Sequence, residues 1–260
     1  MDLDASWWAL SVRQMDEAQI DALFVPAVKA PSSVDQTRLI KMAGKRGMLV
    51  VFEGLDRSGK STQCERLAET LRKEGESVEH MRFPNRITPI GQMINNYLTG
   101  QTNQDDHVIH LLFSANRWEA AKTIEDHINA GTTVVIDRYS YSGAVYSAAK
   151  QVPSMSLEWC RQPEVGLPRP DLCLFLDLSS EEAAKRGGFG TERYEKQDLQ
   201  NRVRQLYGEM RKHDDEREDI TVVDAGRPID VVESDILEIV KKAKSKLKAE
   251  GSELRRMRPW

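Results

Sequence analysis

Residues 48–62 read Met-Leu-Val-Val-Phe-Glu-Gly-Leu-Asp-Arg-Ser-Gly-Lys-Ser-Thr and contain two patterns in direct succession. The first five residues are all apolar, which is typical of a strand covered on both faces. Residues 54–61 then match G-x-x-x-x-G-K-[ST] in full. Residues 60–73 continue with apolar side chains at helical spacing. The chain is therefore predicted to place a phosphate-binding loop between a buried strand and a helix.

The residue types of this loop suit a nucleoside triphosphate. Gly54 and Gly59 permit tight turns that direct backbone N–H groups towards phosphate oxygens. Lys60 can bring a mobile cation to the β- and γ-phosphates, and Ser61 can offer a hydroxyl to Mg²⁺. The start of the following helix adds its positive dipole end. The motif leaves open whether the γ-phosphate goes to water, to a protein or to a metabolite.

Further along the chain, strand and helix patterns alternate. Four more apolar or β-branched runs predict strands at residues 78–83, 132–136, 172–176 and 220–223. Asp105 and Asp106 predict the start of a long helix that runs to Ala130 and ends at Gly131. This alternation predicts an α/β fold with a five-stranded parallel sheet flanked by helices, the P-loop NTPase fold.

The composition divides the 260 residues into three parts. Residues 1–46, with Pro26 and Pro31, are interpreted as an extension that is at least partly disordered. Residues 47–249 carry the alternating pattern and form the predicted domain. Residues 250–260 form a basic C-terminal tail, interpreted as a solvated helix end rather than as a site for an anionic partner.

Charge, hydropathy and cysteine spacing argue against several classes of protein. A formal net charge of −4 gives no reason to expect nucleic-acid binding. No apolar run approaches the ~20 residues of a membrane span, so no membrane contact is expected. Cys64, Cys160 and Cys173 match neither a disulfide framework nor a metal site. We expect a cytoplasmic protein, with a nuclear or mitochondrial pool left open.

Charged residues at two places suit phosphoryl chemistry. Asp137 and Arg138 end a predicted strand, where ligands gather in an open α/β sheet. Asp137 can hold Mg²⁺ directly or through water, and Arg138 can clamp an oxyanion; a surface ion pair is the alternative. Arg57, inside the loop, can neutralise charge on a transferred phosphoryl group, or it can be a solvated loop residue.

Phe113 and Arg117 lie four residues apart and share a face of the predicted long helix. A ring and a guanidinium together could stack a base and bond its edge carbonyl. On these two residues alone, a core phenylalanine beside a surface arginine is the favoured interpretation.

The loop at residues 52–62 resembles the FEGxDxxGKxT loop of thymidylate kinases. Other pieces similar to that family are Arg82-Phe83-Pro84 with Arg86, residues 110–118, Asp137-Arg138-Tyr139, Gly166-Leu167-Pro168 with Pro170-Asp171, and residues 186–194. They follow the order and spacing of the family over about residues 47–240. The arginine within the loop resembles the eukaryotic type.

This resemblance implies an enzyme that transfers the γ-phosphoryl group of ATP to dTMP, giving ADP and dTDP for dTTP synthesis. It implies Mg²⁺ as cofactor and a homodimer formed through helices. It also implies a lid at about residues 186–193, and the glycines at 187, 188 and 190 make that segment suited to closing over ATP.

The resemblance also implies the site residues. The catalytic set is Asp56, Arg57, Lys60, Asp137 and Arg138. ATP would be bound by Gly54, Leu55, Asp56, Arg57, Ser58, Gly59, Lys60, Ser61, Thr62 and Arg186, the last against adenine. The dTMP set is Asp56, Phe83, Arg86, Phe113, Arg117, Arg138, Ser142, Tyr146 and Tyr194. Ser61 and Asp137, the latter directly or through water, would serve the metal.

Within the dTMP set, Arg86 and Arg138 would hold the phosphate and Asp56 would contact the 3′-hydroxyl. Phe113 would stack on thymine and Arg117 would reach its O4 carbonyl. Tyr194 would lie against the sugar, where a ribose 2′-hydroxyl would clash.

Two other readings and two departures stand beside this resemblance. One is a different P-loop kinase, such as a deoxynucleoside kinase or a UMP/CMP kinase. A deoxynucleoside kinase would need a carboxylate base near the acceptor hydroxyl, whereas the paired cations Arg86 and Arg138 suit a monophosphate acceptor. A P-loop switch protein would leave Phe113 and Arg117 without a reason to face a cleft. Asn85 stands where an acidic residue is expected, and the two terminal segments fall outside the family core.

Overall fold

The computed structural model describes residues 46–179, 182–183, 193–194 and 197–260. The predicted extension, apart from Arg46, lies outside these residues, as does nearly all of the predicted lid. Five strands form one sheet: β1 (Leu49–Gly54), β2 (Val78–Arg82), β3 (Thr133–Asp137), β4 (Leu172–Asp177) and β5 (Ile220–Asp224). All pairings are parallel, in the order β2-β3-β1-β4-β5. The predicted five-stranded parallel sheet is confirmed.

Helices connect the strands and follow the last one. They are α1 (Lys60–Lys73), α2 (Pro89–Leu98), α3 (Asp106–Asn129), α4 (Ser140–Ala148), α5 (Leu157–Arg161), α6 (Gln197–Met210), α7 (Asp214–Asp219) and α8 (Ile229–Glu250). A short 3₁₀ turn, Gln162–Glu164, follows α5. The predicted ends of α3 are confirmed, because Asp105 accepts a hydrogen bond from the N–H of His107 at 2.9 Å and Gly131 adopts a left-handed φ of 87°.

Apolar side chains fill both faces of the sheet. On β1, Leu49 and Val51 pack with residues of α3 and α4, whereas Val50 and Phe52 pack with residues of α1 and α8. All of β1 is buried, which explains its unbroken apolar run. The three cysteines are buried and free. Among the described residues, no helix is long and apolar enough to cross a bilayer.

The C-terminal tail packs against the domain, so its interpretation as a solvated helix end is wrong. Met257 is only 2% exposed. Its N–H donates to the carbonyl of Leu167 at 2.9 Å, and its carbonyl accepts from the N–H of Gly166 at 2.9 Å. The tail thus continues the fold beyond α8.

Several side chains of the tail bind acidic residues of α7. Arg255 donates to Asp219 at 3.0 Å, and the indole of Trp260 donates to Glu216 at 2.9 Å. The number of arginines in the tail does not by itself reveal this pairing. Asp219 and Glu216 lie 36 and 44 residues earlier in the chain than their partners, so the match becomes visible only in the folded structure.

Replacing Met257 with alanine should destabilise the protein by about 2–5 kcal/mol, because a buried side chain is truncated and a cavity is left. The midpoint of urea denaturation measures this change. Arg258→Ala is the matched control in the same tail, since that side chain is 68% exposed and its pair with Asp215 is a surface pair. Equal midpoints for Met257→Ala and the unmodified protein would show that the tail does not contribute to stability.

Candidate active site

Two cavities lie beside the loop that follows β1. The P-loop cavity, of about 430 Å³, is lined by Asp56, Arg57, Ser58, Gly59, Lys60, Ser61, Thr62, Gln63, Arg82, Arg138, Ala225, Arg227, Ile229 and Val232. The aromatic cavity, of about 260 Å³, is lined by Asp56, Arg82, Phe83, Pro84, Arg86, Leu98, Phe113, Arg117, Arg138, Tyr139, Ser142, Gly143, Tyr146, Ser147 and Tyr194. Asp56, Arg82 and Arg138 belong to both linings. The two cavities therefore meet at three charged side chains.

Two glycines shape the loop. Gly54 adopts a φ of 137°, and a Cβ there would lie 2.5 Å from the carbonyl oxygen of Leu176. Gly59 adopts a φ of 88° immediately before α1, whose N-terminus has no side-chain cap. The first N–H groups of α1 can therefore bind an anion. Gly54 and Leu55, the first two residues of the motif, do not line the P-loop cavity.

Lys60 is held by the loop itself. Its ammonium donates to the carbonyl of Leu55 and lies 3.4 Å from the hydroxyl of Ser58. Burial, and after it the charge of Arg138, lowers the pKa of Lys60 to about 7, against the opposite effect of nearby carboxylates. A phosphate in the cavity would favour the charged ammonium and raise this pKa again.

Ser61 and Asp137 form the pair suited to a metal ion. The hydroxyl of Ser61 donates to Oδ2 of Asp137 at 2.5 Å, and the buried Oδ1 has no hydrogen-bond partner in the described structure. The described residues contain no group of three His, Cys, Asp or Glu side chains that could hold a metal alone. Mg²⁺ usually binds through one or two protein oxygens together with waters and substrate phosphates. This pair fits that mode of binding.

Asp56 and Arg138 form an ion pair where the cavities meet. Asp56 also accepts hydrogen bonds from Nε2 of Gln200 at 2.6 Å and from the hydroxyl of Tyr146 at 3.2 Å. Burial raises the pKa of Asp56, but the charges of Arg138 and Lys60 outweigh it and hold the pKa below its usual value. Asp56 is therefore ionised at neutral pH. Sequence reasoning missed Gln200, which reaches this site from α6 across 144 residues.

The predicted arginines divide between the two cavities. Arg57 lines the P-loop cavity and adopts a left-handed φ of 68°. Arg86 lines the aromatic cavity from an exposed position and donates to Asn95 at 2.8 Å. Arg138 faces both cavities. Arg82, for which the sequence predicted no role of its own, also lines both cavities and lies 3.5 Å from Asp137.

Phe113 and Arg117 both line the aromatic cavity. Arg117 is only 2% exposed, so the alternative of a surface arginine is wrong. Its Nε and Nη2 donate to the two carboxylate oxygens of Glu164 at 2.7 and 2.6 Å. Sequence reasoning missed Glu164, whose position 47 residues away gives no local signal.

Aromatic rings form much of the remaining wall. The ring of Tyr194 lies 5.8 Å from that of Tyr146 and 6.5 Å from that of Phe113, measured between centroids. Phe83 packs against Tyr139 at 5.8 Å. The predicted aromatic residues are thus gathered around one cavity.

Glu53 supports this wall from below and was not predicted to have a role. It is fully buried and accepts hydrogen bonds from the N–H groups of Tyr139 and Ser142 at 2.9 and 3.0 Å. The hydroxyl of Tyr207 donates to it at 2.8 Å. Glu53 therefore fixes the backbone that follows Arg138.

Arg186 and the predicted lid glycines lie outside the described residues.

Comparisons with known proteins agree with this arrangement. The family model described as thymidylate kinase matches residues 52–236. The chain is 46% identical over 198 residues to the thymidylate kinase of Danio rerio, which covers 76% of this chain and 92% of that protein. It is 47% identical over 195 residues to the thymidylate kinase of Homo sapiens, which covers 75% and 90%. A solved thymidylate kinase structure from Candida albicans has a TM-score of 0.69 at 40% identity, and the match covers 83% of this chain and 97% of that one.

Proposed function

This chain belongs to the thymidylate kinase family and transfers the γ-phosphoryl group of ATP to dTMP. We propose that its two cavities hold the two nucleotides. ATP places its phosphates in the P-loop cavity, and dTMP occupies the aromatic cavity. The observation that carries this proposal is that Asp56, Arg82 and Arg138 line both cavities. Direct transfer requires the two phosphate groups to meet, and these side chains mark a place where they can.

On the donor side, the loop binds and neutralises the phosphates of ATP. Lys60 and the first N–H groups of α1 contact them, and Arg57 neutralises charge on the transferred group. No protein nucleophile is needed, because a phosphate oxygen of dTMP attacks the γ-phosphorus directly. The chain therefore contributes mainly position and charge.

Ser61 and Asp137 would hold Mg²⁺ together with the phosphates of ATP. The buried Oδ1 of Asp137, which lacks a hydrogen-bond partner among the described residues, supports this assignment. When bound, the ion would neutralise charge on the phosphate oxygens.

On the acceptor side, Arg86 and Arg138 hold the phosphate of dTMP. Asp56 is ionised and can accept a hydrogen bond from the 3′-hydroxyl. Tyr194 lies against the sugar, next to Tyr146. Phe113 stacks on the thymine ring, and Arg117 donates to its O4 carbonyl.

Replacing Phe113 with alanine should raise the KM for dTMP, because a stacking contact worth roughly 1–3 kcal/mol is lost. The KM for ATP should stay the same, which makes ATP the internal control. Steady-state kinetics with each substrate varied in turn measure both values. An unchanged KM for dTMP would mean that Phe113 serves only the core.

ATP binding should take up a proton near neutral pH. In the free protein, burial and the charge of Arg138 lower the pKa of Lys60 to about 7. Phosphates raise this pKa in the complex, so affinity should fall by up to about tenfold per pH unit as pH rises above 7, until the raised pKa is passed. Calorimetric titrations in two buffers of different ionisation heat measure the uptake. Proton uptake that stays absent between about pH 7 and 9 would contradict this coupling.

We also propose a homodimer, supported by an apolar stripe on α3. Val108, Leu111 and Trp118 are 44%, 47% and 42% exposed, and their spacing places them on one face of the helix. Light scattering of the purified protein tests this state.

The domain limits at residues 47–249, the lid and the cytoplasmic location remain predictions from the sequence.

A further inference from the structure

Arg117 combines two properties that rarely occur together. It is almost fully buried, yet it lines the aromatic cavity. Glu164, which is fully buried, binds Nε and Nη2 of this guanidinium. Glu164 uses the N–H of Nε and one N–H of Nη2, so the two N–H groups of Nη1 and the second N–H of Nη2 remain as donors in the fixed planar fork of the guanidinium.

A second residue confines the guanidinium from the side of α4. A Cβ on Gly143 would lie 2.4 Å from Nη2 of Arg117, a distance that real side chains do not tolerate. Only glycine therefore lets the guanidinium take its observed position. Arg117 lies between a carboxylate that binds two of its nitrogens and a backbone that admits no larger residue.

Glu164 is itself fixed to the helix that carries Arg117. The 3₁₀ turn that contains it is bound through the carbonyl of Pro163, which accepts from the hydroxyl of Ser114 at 3.1 Å and from the indole of Trp118 at 2.8 Å. Both donors belong to α3. The carboxylate and the guanidinium are therefore held in one rigid unit.

We propose that Glu164, together with the close approach of Gly143, positions Arg117 and so determines which base edge the acceptor site accepts. This inference rests on the proposed placement of the thymine beside Arg117. A guanidinium only donates hydrogen bonds, so the N–H groups that Glu164 leaves unused require an acceptor on the base edge. A 4-carbonyl satisfies it, whereas a 4-amino group presents a second donor. Glu164 is thus a positioning residue for base recognition.

The test is Glu164→Gln, which preserves shape but turns one of the two acceptor oxygens into a donor. The KM for dTMP should rise about tenfold, with the KM for ATP unchanged, because a misplaced group weakens only the contact it makes. The ratio of kcat/KM for dTMP over that for 5-methyl-dCMP, which differs from it at base position 4, should fall about tenfold.

Glu216→Gln is the matched control. Glu216 is also fully buried, and it accepts from Nε and Nη2 of Arg161 at 3.1 and 3.0 Å. Arg161 is not among the residues that line either cavity. This variant should lose stability but keep the wild-type KM for dTMP and the wild-type ratio of kcat/KM for dTMP over that for 5-methyl-dCMP. The same kinetic change in Glu216→Gln as in Glu164→Gln would overturn the proposal, because loss of stability would then explain both.

Gly143→Ala tests the same guanidinium without altering Glu164. Alanine suits the middle of α4, so the added methyl should act mainly on Arg117, raising the KM for dTMP and lowering the base ratio. Wild-type kinetics in both Glu164→Gln and Gly143→Ala would overturn the proposal. Arg117→Met separates the placement of the base from the positioning of Arg117 by Glu164. An unchanged KM for dTMP in this variant contradicts the placement of the base itself. A raised KM there with wild-type kinetics in Glu164→Gln contradicts only the positioning.

Discussion

Replacing Lys60 with alanine lowers kcat by roughly 10²–10³-fold in this account, the usual effect of removing one preorganised group that stabilises developing charge. Lys60 is buried beneath the loop, where its ammonium already contacts the carbonyl of Leu55. In this dry position its charge acts on phosphate oxygens far more strongly than it would in water. Alanine removes that charge and leaves the loop carbonyl without its donor. Initial rates at saturating ATP and dTMP measure the loss.

A surface lysine provides the control for this loss. Lys122 lies on α3 with its side chain 78% exposed and pairs with Asp126. Lys122→Ala should keep the wild-type kcat, since it touches neither cavity. Intact turnover in Lys60→Ala would remove Lys60 from the role proposed for it.

Replacing Arg57 with alanine should lower kcat by about 10³-fold or more while changing the KM for dTMP little. Arg57 lines the P-loop cavity, beside the three charged side chains where the cavities meet. Its charge is needed most when negative charge develops on the transferred group, so the loss appears in the transition state rather than in binding. Steady-state kinetics with dTMP varied at saturating ATP separate the two parameters.

The conservative variant sharpens the test of Arg57. Arg57→Lys keeps a positive charge but loses the planar fork, so it should recover only part of the lost kcat. A pure rise in the KM for dTMP, with kcat intact in both variants, would make Arg57 a ground-state binder instead.

The local patterns of this sequence predicted the fold because their physical causes are local. The loop at residues 54–61 is contiguous, and the buried strands need only apolar side chains within each run. The caps of α3 are likewise set by Asp105 and Gly131. These features require no knowledge of what lies elsewhere in the chain.

The residues that sequence reasoning missed act across long separations. Gln200 reaches Asp56 across 144 residues, Tyr207 reaches Glu53 across 154, and Glu164 reaches Arg117 across 47. A buried arginine cannot be told from a surface one until its carboxylate is known, because an unpaired charge would not be buried. The interpretation of Arg117 therefore depended on Glu164, which shows no periodicity or motif of its own.

The most direct test of the central claim is a crystal structure with dTMP and a non-hydrolysable ATP analogue bound together. The account predicts thymine against Phe113 in the aromatic cavity and the triphosphate in the P-loop cavity. A phosphate oxygen of dTMP should lie about 3–3.5 Å from the γ-phosphorus, beside Arg138. A dTMP molecule bound outside the aromatic cavity, or with its phosphate turned away from Arg138, would contradict the account.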